Sequence, residues 1–118
     1  MAVKEEIGRR RYILFKIKSK EKIRKGEIIR ALLHSTTEKN IDRKKAKIWL
    51  IELKPEEGKI CFGIVRCSHL YKEKLTELLN SIENLGQKKV KLETIVCSGT
   101  LKKTRRKMKE IMEDASNT

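Results

Sequence analysis

The segment Lys54-Pro55-Glu56-Glu57-Gly58 holds the chain's single proline and stands between two runs rich in β-branched and aromatic residues. Lys47 to Leu53 on one side and Ile60 to Val65 on the other read as strands, and the Pro–Gly punctuation between them reads as a hairpin turn. A mid-chain hairpin commits the fold to antiparallel pairing. Tyr12 to Ile17 has the same strand character. Val90 to Cys97 alternates, which puts Val90, Leu92, Thr94 and Val96 on one face against Lys91, Glu93 and Ile95. Four strands result.

Two amphipathic stretches separate them. Ile28, Ile29, Leu32 and Leu33 follow one helical face after Gly26-Glu27. In the second, Ser68 stands at the cap position, Tyr71, Leu75, Leu78, Leu79, Ile82 and Leu85 line one face, and Gly86 is placed to end the helix. A third pattern closes the chain, with Leu101, Met108, Ile111, Met112 and Ala115 on one side and cations on the others. Two right-handed β-α-β crossovers joined by the hairpin predict an α+β fold. It is a ferredoxin-like (RRM-like) βαββαβ two-layer sandwich, with a four-stranded antiparallel sheet, both helices on one face and an extra basic C-terminal helix. The organisation follows as a basic N-terminal tail at 1–10, the sandwich at 11–98, and a basic helix and tail at 99–118. No internal repeat interrupts it.

At 118 residues the chain supports one domain. Only Tyr12, Phe15, Trp49, Phe62 and Tyr71 are aromatic, so the core must be largely aliphatic. No apolar run approaches the ~20 residues that a bilayer crossing needs. Met1 to Arg11 has no apolar stretch to act as a signal peptide, which sets the expectation of a cytoplasmic protein. Cys61, Cys67 and Cys97 form a poor disulfide framework, since one must stay unpaired, and buried thiols in a reducing compartment are the expectation. The partner is indicated by charge. Thirty Lys and Arg against 16 Asp and Glu leave a net +14, a field that favours polyanions and above all nucleic acid.

The inventory for catalysis is thin. Cys61, Cys67, His69 and His34 do not have the close ligand pairs of a zinc site, and Asp42 and Asp114 are the only aspartates. No phosphate-binding glycine loop or nucleophile elbow is present, so no catalytic residue, metal ligand or cofactor is expected on this chain. The inventory for binding is rich. Arg9, Arg10 and Arg11 lead into the first strand, Arg43, Lys44 and Lys45 precede the second, and Lys88 and Lys89 precede the fourth. Lys102, Lys103, Arg105 and Arg106 open the last helix, and six cations fall between Lys102 and Lys109. Contacts of this kind neutralise phosphates without reading sequence. Ser98, Gly99 and Thr100, just before that helix, read as a glycine turn and cap, or as amides that hold a phosphate.

A four-stranded sheet of this topology could also stack bases on central-strand aromatics. Lys59 to Val65 carries one such aromatic, Phe62, and Tyr12 or Phe15 would supply a second. Packing explains Phe15 and Phe62 at least as well, because Ile13, Phe15 and Ile17 share a face, as do Ile60, Phe62 and Ile64.

Arg11-Tyr12-Ile13 with Phe15 and Ile17, Trp49-Leu50-Ile51, Gly63-Ile64-Val65-Arg66-Cys67, and Ser98-Gly99-Thr100-Leu101-Lys102 together carry a family resemblance. From about Arg10 to Lys107 the chain resembles the archaeal ribonuclease P protein component 2 family, related to the eukaryotic Pop and Rpp subunits. Cys97 and the segment after Met108 depart from the pattern. The resemblance implies a subunit of the ribonucleoprotein endonuclease that removes the 5′ leader from precursor tRNA. There the RNA subunit is the catalyst and requires Mg2+, while the protein binds and stabilises that RNA. It also implies a larger barrel-shaped ribonuclease P protein as partner, with two copies of each chain. Two other classes stay open from the residues: an RNA-binding module of ribosomal or chaperone type, and a small-molecule-sensing ferredoxin-like domain.

Overall fold

The computed structural model describes residues 9–55 and 60–116, without the side chains of 55 and 114–116. The hairpin turn at Glu56 to Lys59, the tail before Arg9 and the side chain of Ala115 lie outside the described residues. The fold is α+β. Strands β1 (Arg10–Ser19), β2 (Trp49–Pro55), β3 (Ile60–Ser68), β4 (Asn84–Leu85) and β5 (Lys88–Ser98) form one antiparallel sheet in the order β2-β3-β1-β5-β4. The helices are α1 (Lys25–Glu38), α2 (Arg43–Ala46), α3 (Lys72–Ser81) and α4 (Leu101–Ser116), and a 3-10 turn (His69–Tyr71) leads into α3.

Strand β1 is central because it alternates apolar side chains to both faces. Ile13, Phe15 and Ile17 join Ile28 and Leu32 of α1, Leu75, Leu78 and Leu79 of α3, and Cys61, Val65 and Cys67 of β3 in the larger core. Leu14 points the other way, to Phe62, Ile64 and Met108. Gly63 pairs with Phe15 in register, and a Cβ there would collide with the Phe15 ring, so the absent side chain is what lets the ring lie across β3. Helix α1 starts where the Glu27 carboxylate reaches back to accept the Arg24 amide at 3.0 Å. Its buried residues Ile28, Leu32 and Thr36 repeat at one position per turn, while Ile29 and Leu33 stay exposed.

Several expectations are corrected. The sheet has a fifth strand, because the second helix stops at Ser81, four residues short of Leu85. Leu85 is buried from β4, and Gly86, with φ of 64°, turns a two-residue hairpin into β5 instead of ending a helix. Ser68 is the last residue of β3 and makes no side-chain cap. Val96 does not share a face with Val90 and Leu92. The β1–β5 register shifts between Leu14 and Phe15, Ile95 is the extra residue, and the strand beyond it flips. A second shift in β2 sends Leu50 to the larger core and Glu52 to the opposite face.

The sheet's second face is also covered over part of its area. The apolar stripe of α4, with Leu101, Met108, Ile111 and Met112, lies on Leu14, Phe62 and Ile64, so helices cover both faces where two layers were expected. Phe62 is 2% exposed beneath it, and Phe15 is buried in the other core. Neither ring can stack on a base. Cys61 and Cys67 are buried, and burial pushes their thiols up to about 11 and about 12, but Cys97 is exposed at the end of β5. The expectation of three buried thiols therefore fails at Cys97.

Candidate nucleic-acid interface

Antiparallel register decides which basic clusters meet. Strands β1 and β2 run parallel to each other on either side of β3, so both start at the end where β3 and β5 finish. Arg10 pairs with Ser68 and Tyr12 with Ser98, which brings Arg9 to Arg11 beside the Ser98-Gly99-Thr100 turn and the first residues of α4, Lys102 and Lys103. The Arg11 guanidinium lies against this turn: a Cβ on Gly99 would stand 3.1 Å from its Nη1. Helix α2, with Arg43, Lys44 and Lys45, leads into β2 at the same end. Its start is held by Asp42, whose carboxylate accepts the Lys44 and Lys45 amides at 3.0 and 3.2 Å.

Lys88 and Lys89 start β5, so they lie at the opposite end. The Lys88 ammonium is consumed internally: it donates to Glu27 at 2.9 Å and to the Lys22 carbonyl at 2.8 Å. That hydrogen bond is the main reason the Glu27 carboxyl sits below its ordinary value. Arg105 is engaged too, donating to Glu52 of β2 at 2.7 Å, which clamps α4 across the sheet. Arg106 makes no ion pair with a described residue. The same holds for Arg9 to Arg11, Arg43 to Lys45, Lys102 and Lys103.

Ser98 and Thr100 have a local structural job. Thr100 Oγ1 accepts the Lys103 amide at 3.3 Å and Ser98 Oγ accepts the Thr100 amide at 3.3 Å, while the buried Thr104 hydroxyl donates to the Thr100 carbonyl at 2.8 Å. The capping assignment accounts for these contacts. Arg66 and Lys72 belong to the same basic end and escape a search for basic runs, because each is a single cation between uncharged or acidic neighbours. Strand alternation carries the signal for Arg66, which lies directly opposite Tyr12. Lys72 opens α3 near Cys97, whose thiol, exposed but partly desolvated by its neighbours, is raised against the opposing pull of Lys72 and Arg11. His69 ties its backbone amide to the Arg9 carbonyl at 3.3 Å, and His34 pairs with Glu38 at 2.8 Å on α1. Among the described residues, no three His, Cys, Asp or Glu side chains converge.

The sequence of residues 11–109 matches the Rpp14/Pop5 family. Among solved structures, a chain in the cryo-EM structure of yeast ribonuclease MRP is similar, with a TM-score of 0.54, 12% identity and 92% of each chain covered. The designed protein Foldit4 aligns with a TM-score of 0.40 and 16% identity, over 74% of this chain and 97% of that one. No curated protein matches the sequence. The family match spans both cores and all but the last turns of α4, and on that ground the chain belongs to the Rpp14/Pop5 family of ribonuclease P/MRP protein subunits.

Proposed function

We propose that this subunit neutralises backbone phosphates of the ribonuclease P RNA and holds that RNA in its active form while the 5′ leader is cut from precursor tRNA. One observation carries the reading: three of the four basic clusters gather at one end of the sheet, and within them only Arg105, held by Glu52, and Lys107, near Glu110, are paired with a described carboxylate. Unpaired lysines and arginines that neutralise phosphates release the counterions condensed on the RNA, which gives affinity without sequence readout. The chemistry is assigned to the RNA, whose phosphates hold the Mg2+ that activates the nucleophile. A larger barrel-shaped subunit is the proposed protein partner, two copies of each chain are the proposed assembly, and the cytoplasm is the proposed location. The β2-β3-β1-β5 order with α1 and α3 on one face supports a ferredoxin-like core.

Reconstitution tests this. Ribonuclease P RNA and the other protein subunits are assayed for precursor-tRNA cleavage with and without this chain. Leader removal should fall on omission, and the chain alone with Mg2+ should remove none. Undiminished cleavage on omission, or leader removal by the chain alone, would contradict the proposal.

A further inference from the structure

At the basic end, beyond the cover of α4, the sheet presents a row of side chains set by register. Trp49 on β2 lies opposite Arg66 on β3, Arg66 opposite Tyr12 on β1, and Tyr12 opposite Ser98 on β5. Opposed residues of antiparallel strands share a face. Ile48 and Leu50 flank Trp49 and pack into the larger core, which directs Trp49 to the face that Arg66 and Tyr12 occupy. With adjacent strands ~4.8 Å apart, Trp49 and Tyr12 stand about 10 Å from each other across Arg66.

Each member has capacity to spare. Trp49, the first residue of β2, is 63% exposed. Tyr12 is half-buried against the α4-side core, which holds its ring in place. The Nε of Arg66 is buried without a hydrogen-bond partner, and the residue forms no ion pair among the described residues. A donor in that state is completed by a ligand or by water at a cost to stability otherwise. No carboxylate falls in the row, and Arg9 to Arg11 and Lys102 lie beside it.

We propose that this row binds an unpaired nucleotide of the RNA, with its base stacked on Trp49, its phosphate or base edge on the Arg66 guanidinium, and Tyr12 as the inner wall. The inference rests on the RNA-binding reading above and adds a recognition step that the phosphate contacts lack. Aromatic rings and guanidinium planes are the surfaces on which splayed-out bases stack, and every base has a face to offer. At the sheet edge Trp49 also borders an apolar groove on the α1 side with Ile29 and Leu33, so a protein segment is the rival occupant.

Trp49 is the chain's only tryptophan, so its emission reports on this row alone. The full chain is titrated with an unstructured RNA oligonucleotide and with a fully paired RNA hairpin, and binding is followed separately by the anisotropy of labelled RNA. At equal saturation the single strand should quench Trp49 strongly and the hairpin little. Trp49→Ala should weaken single-strand binding about fivefold to a hundredfold, the range of one stacked base, with the salt slope unchanged, and Trp49→Phe should restore most of it. Arg66→Gln should lower affinity and also flatten the slope. RNA binding that saturates without a change in Trp49 emission overturns the inference and leaves the phosphate-contact reading standing. Emission that changes only when the other protein subunits are added also overturns it, in favour of the protein segment. No RNA binding by any measure sinks the underlying reading itself.

Discussion

The two ends of the sheet carry similar numbers of lysines and arginines but use them differently. At the far end, Lys88 is locked to Glu27 and the Lys22 carbonyl, and Lys16 and Lys91 share Glu93 at 3.9 and 3.5 Å. At the near end, where β1 and β2 begin, Arg9 to Arg11, Arg43 to Lys45, Lys102 and Lys103 have no such partners among the described residues. A cation already paired within the fold gains little from a phosphate, since it must give up one anion to take another. Pairing alone does not separate the two ends, since Lys18, Lys20, Lys22 and Lys54 also make no ion pair with a described residue. What marks the near end is that the strand register brings three basic clusters together there.

Charge removed at one end only should cost the most. Arg9, Arg10, Arg11, Lys102 and Lys103 changed to Gln should cost about 0.7–0.9 in the slope of log K against log salt for each phosphate no longer neutralised, or on the order of four in all. The matched variant at Lys18, Lys20, Lys22, Lys54 and Lys91 removes the same charge from the far end and should change the slope much less. Equal changes in both would leave only the overall field at work. Next in size is the docking of α4. Met108 is buried between the helix and the sheet, and Met108→Ala should cost about 2–5 kcal/mol in denaturant unfolding. An unchanged midpoint would mean that α4 is not held where it is described.

The smallest effect belongs to the Lys88–Glu27 pair, which is partly exposed, so Glu27→Gln should cost no more than about 1 kcal/mol near neutral pH. Its pH dependence has a definite sign. The Glu27 carboxyl is lowered in the fold from its ordinary 4.5, so its contribution is complete above that pH and is lost as pH falls through the lower folded value. Melting curves of the parent and the Glu27→Gln variant should therefore converge in acid. A gap that widens below pH about 4 would contradict the pairing.

Much of this architecture is legible in the residues. The runs around Phe15, Leu50 and Phe62 announce strands by composition, and the stripe of Leu101, Met108, Ile111 and Met112 announces a helix with a face to bury. The stripe does not say what covers it. Only the presence of Leu14, Phe62 and Ile64 on the second sheet face makes that face its partner. The two-residue strand β4 is too short to have a period, so Leu85 reads as one more apolar position of the preceding helix. The extra residues at Ile51 and Ile95 are invisible to alternation, yet each flips everything after it. The binding surface is partly legible for the same reason. Basic runs can be counted in sequence, but Lys88 and Arg10 look alike until the register sends them to opposite ends. Arg66 has no basic neighbour to mark it, and only its pairing with Tyr12 and Trp49 reveals its place.

If the RNA lies against the near end, the exposed thiol of Cys97 is already beside it. A chelated iron attached to Cys97 leaves the buried Cys61 and Cys67 unmodified and generates hydroxyl radicals beside Arg11 and the Ser98-Gly99-Thr100 turn. The control carries the same iron on Lys20→Cys in a Cys97→Ser background, at the far end. In the reconstituted ribonucleoprotein, cleavage of the ribonuclease P RNA should be strong and confined to a few sites from position 97, and weak from position 20. Equal cleavage from both positions, or stronger cleavage from position 20, would contradict the account.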